Sequence, residues 1–140
     1  MNMTNQPLII PLLVQVALTF VVWTWMLLSR IESMRRNKVS FQSLTTREGQ
    51  ERLSDVMKVS DNFENQFEIP VLFYALLVTL MFTYHSDATY LICAWLFVLT
   101  RAIHAIIHCT VNNVALRFTA HFLGSAILGA MWVRFAIQVL

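Results

Sequence analysis

The chain has 140 residues, 57% of them hydrophobic and 13% charged, with three Gly and a net charge of +2. Soluble domains carry about 25% charged residues, so this balance argues against an ordinary soluble domain and for a membrane protein. The basic residues are not interleaved with aromatics as a nucleic-acid surface requires, and no glycine-rich phosphate loop is present.

A bilayer core about 30 Å thick is crossed by roughly 20 apolar residues rising about 1.5 Å each. Four stretches qualify, and they predict helices over about 7–29, 62–84, 89–110 and 114–139. Runs this long do not alternate in polarity as barrel strands do. The expected fold is therefore all-α, one integral membrane domain over 1–140 built as a four-transmembrane-helix bundle.

The first helix has no Lys or Arg before it and no small-residue cleavage site after it, so it reads as a retained span rather than a secretory signal. A polar loop over about 30–60 follows. It holds seven of the ten Lys and Arg residues: Arg30, Arg35, Arg36, Lys38, Arg47, Arg52 and Lys58. By the positive-inside rule that loop is cytoplasmic, which puts both termini in the periplasm if the membrane is a bacterial inner one. Thr45 and Glu48 have the spacing of a capping box, from which a helix could run into the second span.

The second span opens on DNFENQFEIP. On a continuous helix, at about 100° per residue, Asp61, Asn65 and Glu68 share one arc with Glu64 beside it, and Pro70 kinks the helix near the membrane entrance. On the third span Arg101, His104, His108 and Asn112 recur at intervals of three, four and four, a polar stripe on an apolar segment. An arginine at membrane depth costs at least about 2.5 kcal/mol unless it is paired or lines a wet cavity, and Glu68 is the expected partner. Cys93 and Cys109 on the same helix are about 24 Å apart, too far for a bridge.

The fourth span begins near Arg117 and carries small residues at four-residue spacing, Ser125 with Gly129 and Ala126 with Ala130, suited to close packing within the chain or between copies. Arg30 and Arg117 add cations at the same side as the Arg101 stripe. Together these helix ends predict a cation-rich crevice for a small anionic or zwitterionic molecule beside the lipid, such as a thiol tripeptide.

In these residues the whole chain resembles the MAPEG superfamily of membrane-associated proteins in eicosanoid and glutathione metabolism. The motif NQFEIP supplies the family's Asn, Glu and Pro as Asn65, Glu68 and Pro70, and RAIHAIIH supplies its helix-three Arg as Arg101. The resemblance implies a homotrimer that uses glutathione as cosubstrate near the cytoplasmic face. It implies glutathione contacts from Asn65, Glu68, Arg101, His104 and His108, and thiolate stabilisation by Arg117 or Arg30 during transfer to, or peroxide reduction of, a lipophilic electrophile. Where the well-studied enzymes have a basic residue this chain has Asp61, which would repel a glutathione carboxylate. Two other readings follow from the residues: a membrane scaffold or lipid-binding module without glutathione chemistry, and a haem carrier using His104 and His121.

Overall fold

The computed structural model describes residues 6–40, 42–46, 56–110 and 113–140. Its elements are α1 (Gln6–Asn37), a short 3-10 turn (Gln42–Thr45), α2 (Met57–Glu64), α3 (Ile69–Thr83), α4 (Ala88–Cys109) and α5 (Val114–Val139). Four segments are long and apolar enough to cross a membrane: Pro7–Asn37, Val59–Thr83, Ala88–Cys109 and Val114–Val139. The fold is the expected all-α bundle. Glu48 of the expected capping box and Asn112 of the stripe lie outside the described residues.

The first helix does not stop at 29. It continues to Asn37, because no residue before Lys38 breaks it and Arg35 and Arg36 in its last turn complement the negative end of the helix dipole. At about 1.5 Å per residue its 32 residues reach well beyond a hydrocarbon core. It ends in a Schellman turn: Lys38 takes a left-handed conformation, φ 53°, and Val39 N–H returns to Met34 O at 3.0 Å. Met34 and Val39 then pack together with Val56 in a small satellite core. α3 ends in the same way, with Tyr84 at φ 59° and His85 N–H returning to Leu80 O at 3.2 Å.

The second span is broken rather than kinked. A continuous helix would drive the Pro70 ring into the carbonyl of Gln66 and lose one hydrogen bond. The chain instead closes α2 with short-range bonds, Gln66 N–H to Phe63 O at 3.0 Å and Phe67 N–H to Glu64 O at 2.8 Å. It restarts at Ile69 with Pro70 in the first turn of α3, where no amide hydrogen is needed. Asp61, Asn65 and Glu68 therefore do not share one helical arc. The break also leaves the Asn65 carbonyl without a helical partner.

Buried residues keep helical spacing on every span: Leu8, Pro11, Gln15 and Val22 on α1; Phe73, Leu76, Leu77 and Leu80 on α3; Tyr90, Ala94, Phe97, Val98 and Arg101 on α4. Phe73 stacks on Phe97 with ring centroids 4.4 Å apart at the centre of this core. The outward faces carry exposed Phe20, Phe82, Ile106, Phe118 and Ile137, a surface that only lipid or another apolar partner covers favourably. α5 lies along α4, and Gly124 permits the approach, since a Cβ there would come within 2.7 Å of Thr100 Oγ1. The small-residue face thus divides: Gly124 is buried against α4 within the chain, whereas Ala126, Gly129 and Ala130 face outward.

Candidate functional site: an arginine–histidine cluster between α4 and α5

Arg101, three turns into α4, is completely buried. One guanidinium nitrogen, Nη2, donates to the Asn65 carbonyl at 2.7 Å and the other, Nη1, to His121 Nδ1 on α5 at 3.1 Å. The helix break thus creates the acceptor and the buried arginine takes it. Continuing along the same face, His104 is 2% and His108 1% exposed. His104 Nδ1 donates to the Arg117 carbonyl at 3.0 Å, and Arg117 Nη1 donates to His108 Nε2 at 2.9 Å. The His104 ring lies 5.6 Å from that of His108 and 5.5 Å from that of His121. Two arginines and three histidines from α4 and α5 thus form one cluster inside an apolar bundle.

The expected Glu68–Arg101 ion pair does not form. Glu68 precedes α3 at the break, exposed and without an ion pair among the described residues, and its charge reaches Arg101 and His121 only through space. A continuous second helix would carry Glu68 on the Asn65 face, and the break leaves it exposed ahead of α3. Asn65 contributes its carbonyl to the cluster. Asp61 is exposed on α2 and acts on His108 through space. Arg30 is exposed on α1, and none of the cluster's hydrogen bonds involves it.

His121 joins the cluster as the Arg101 acceptor. Its signal in the sequence is the four-residue spacing from Arg117, which sets both on the α5 face opposite the stripe. The His104 and His121 rings lie side by side with their Nδ1 atoms turned to the Arg117 carbonyl and to Arg101. Behind the break, buried Gln15 Nε2 donates to buried Gln66 Oε1 at 3.2 Å, and buried Asn62 Nδ2 donates to Cys109 Sγ at 3.1 Å. Cys93 and Cys109 are both free thiols. Gln15 is a lone amide in an apolar run, and Asn62 and Gln66 stand off the Asp61–Asn65–Glu68 arc of the polar stretch, so periodicity does not mark them.

Three buried side-chain atoms of the cluster lack a hydrogen-bond partner among the described residues: Arg101 Nε, His104 Nε2 and His108 Nδ1. A buried polar atom without a partner is costly, so the cluster is chemically suited to a guest offering both acceptors and a donor. Glutathione, with two carboxylates, amides and a thiol, has that donor and acceptor set. Across the linker, α1, α2 and α3 enclose an apolar cleft of about 390 Å³ walled by Phe20, Trp23, Phe63, Phe67 and Tyr74. Thr19 Oγ1 and Tyr74 Oη, 3.3 Å apart, supply polar groups at that cleft.

The opposite end of α4 is built differently. Asp87 caps the helix by accepting from Tyr90 N–H at 3.0 Å and binds Arg134 of α5 through both carboxylate oxygens, at 3.0 and 2.5 Å. The Arg134 guanidinium, chiefly through these hydrogen bonds, holds the Asp87 carboxyl below its ordinary range. Arg134 also lies over the Tyr90 ring, 4.5 Å from its centroid.

Compared with known proteins, residues 8–137 match the family model described as the MAPEG family. Neither a curated protein nor a solved structure matches the chain.

Proposed function

The chain belongs to the MAPEG family, and from that premise we propose that it is a glutathione-dependent transferase or peroxidase acting on lipophilic electrophiles at the cytoplasmic side of a bacterial inner membrane, with both termini periplasmic. The observation that carries this reading is the Arg101–Arg117 cluster, in which fully buried Arg101 is met by a carbonyl and an imidazole and three buried polar atoms have no hydrogen-bond partner among the described residues. A guanidinium in an apolar bundle attracts an anion far more strongly than it would in water.

Arg117, half-buried at the start of α5, is the arginine placed to meet a ligand, and its guanidinium favours the thiolate over the thiol. The thiolate is the nucleophile. His104 and His108 line the cluster and offer an acceptor and a donor, Asn65 anchors Arg101, and Arg101 Nε is left for a ligand carboxylate. Arg30 stands apart within one chain; in the homotrimer that the family resemblance implies, it serves a site shared between copies. The electrophile enters from the bilayer, and the aromatic cleft beside the linker suits such a molecule.

Calorimetric titration of glutathione into the detergent-purified protein tests this reading. Saturable binding that Arg117→Ala abolishes is expected. A wild type that neither binds glutathione nor conjugates or reduces any member of a broad electrophile and peroxide panel overturns it.

A second reading, a scaffold or lipid-binding module without glutathione chemistry, is favoured by exposed Asp61 and Glu68, two carboxylates that oppose an anionic guest. Binding of glutathione by Asp61→Arg but not by the wild type would select it.

A further inference from the structure

Hydrogen-bond chemistry fixes the ring states of the cluster. A guanidinium has donors only and a carbonyl oxygen accepts only. His108 Nε2 and His121 Nδ1, each facing an arginine nitrogen at 2.9 and 3.1 Å, must therefore present lone pairs. An imidazolium has no lone pair to present, so both rings are neutral, with the hydrogen on His108 Nδ1 and on His121 Nε2. His104, which donates from Nδ1 to the Arg117 carbonyl, holds the other face of the same residue.

We infer that His108 and His121 are positioning residues: each, as a neutral imidazole, orients one arginine by offering it a ring-nitrogen lone pair, and protonation of either ring breaks that hydrogen bond and turns the guanidinium from its place. The inference rests on the glutathione reading for its consequence, but its geometry stands on the described contacts alone. His121 steers the guanidinium that also grips the Asn65 carbonyl, so it governs where the α2–α3 linker sits. His108 steers Arg117, the cation assigned to the thiolate.

Among the described residues, the charged and titratable groups around them come from α2, α4, α5 and the stretch ahead of α3. His121 faces Arg101 and His104 on α4 and, through space, Glu68 ahead of α3. His108 faces Arg117 on α5, His104 on its own helix and, through space, Asp61 on α2. In each case the arginine in direct contact opposes a second positive charge.

The test has two arms. Nitrogen-15 NMR of histidine-labelled full chain in detergent micelles at neutral pH should report His108 protonated at Nδ1 only and His121 at Nε2 only. The opposite tautomer or an imidazolium at either ring overturns the inference, whether or not glutathione binds.

The second arm is a titration with S-methylglutathione, which has no thiol to ionise on binding, between pH 7 and pH 5, a range in which its carboxylates keep their charge. Wild-type affinity should fall with acidification. His108→Gln places an amide oxygen near the position of Nε2, and His121→Asn places one near that of Nδ1. His121→Asn should stay within about threefold of the wild type at pH 7, His108→Gln should bind more weakly there because it also gives up the Nδ1 donor, and both should lose the acid-side fall, whereas His108→Leu and His121→Leu weaken binding about tenfold at both ends of the range. Amide variants that behave like the leucine variants, or a wild type with a flat profile, overturn the inference. Absence of any glutathione binding by the wild type strikes the functional reading instead, and the NMR arm still decides this one.

Discussion

The two ends of α4 handle an arginine in opposite ways. At the N-terminal end Arg134 meets the Asp87 carboxylate, and the two side chains are 35% and 41% exposed. Toward the other end Arg101 is fully buried and, among the described residues, its hydrogen bonds go to a carbonyl and an imidazole and to no carboxylate. Where water reaches, opposite charges pair at little cost and for little gain. In the apolar interior a carboxylate would bring its own desolvation penalty, and lone pairs of uncharged groups solvate the cation instead. The exposed pair ends with its charges matched, while buried Arg101 is held by uncharged groups alone among the described residues.

The largest effect that sharpens this contrast should come from Arg101→Ala. It removes a fully buried side chain and strands the Asn65 carbonyl and His121 Nδ1, a loss of about 3 kcal/mol in reversible detergent unfolding. An unchanged unfolding midpoint would mean that the cluster does not hold the linker.

Next comes the α4–α5 contact. Gly124→Ala sets a methyl 2.7 Å from Thr100 Oγ1 and should cost ~1–3 kcal/mol. Gly129→Ala meets nothing within 4 Å and should be neutral or gain up to about 1 kcal/mol. Equal melting shifts for the two alanines would contradict the described packing.

At the exposed end, Asp87→Ala should cost about 1 kcal/mol, mostly as the lost helix cap. Arg134→Gln, which spares the cap, should cost about 0.5 kcal/mol or less. Asp87 should also give a small pH dependence. Its carboxyl is held low in the folded protein, so the folded state binds the proton less readily than the unfolded chain. The contribution is complete above the ordinary aspartate range near pH 4 and disappears as pH falls through the lower folded value. Melting curves of wild type and Asp87→Asn should converge in acid; a wild-type advantage that grows below pH 4 would contradict the sign.

The spans were legible because lipid demands long apolar runs and helical pairing, both readable without a partner. The Arg101–His104–His108 stripe was legible because period and polarity coincide on one helix. The arginine's partner was not, because it is a main-chain carbonyl, and every residue has one. Pro70 was recognised as a disturbance, but a kinked helix and a broken one share the same sequence. The difference decides whether Glu68 points inward or Asn65 O becomes free. The end of α1 was misjudged for a simpler reason: its last turns are polar, and polarity was read as loop where the helix continues past the hydrocarbon.

The interruption between α2 and α3 is gripped from two sides, by Gln15 of α1 through Gln66 and by Arg101 of α4 through the Asn65 carbonyl. The linker thus joins α1 to the buried arginine of α4. A displacement of α1 by a neighbouring chain or a change in bilayer thickness has a direct mechanical route to the α4–α5 interior, with four side-chain and main-chain groups as its transmission.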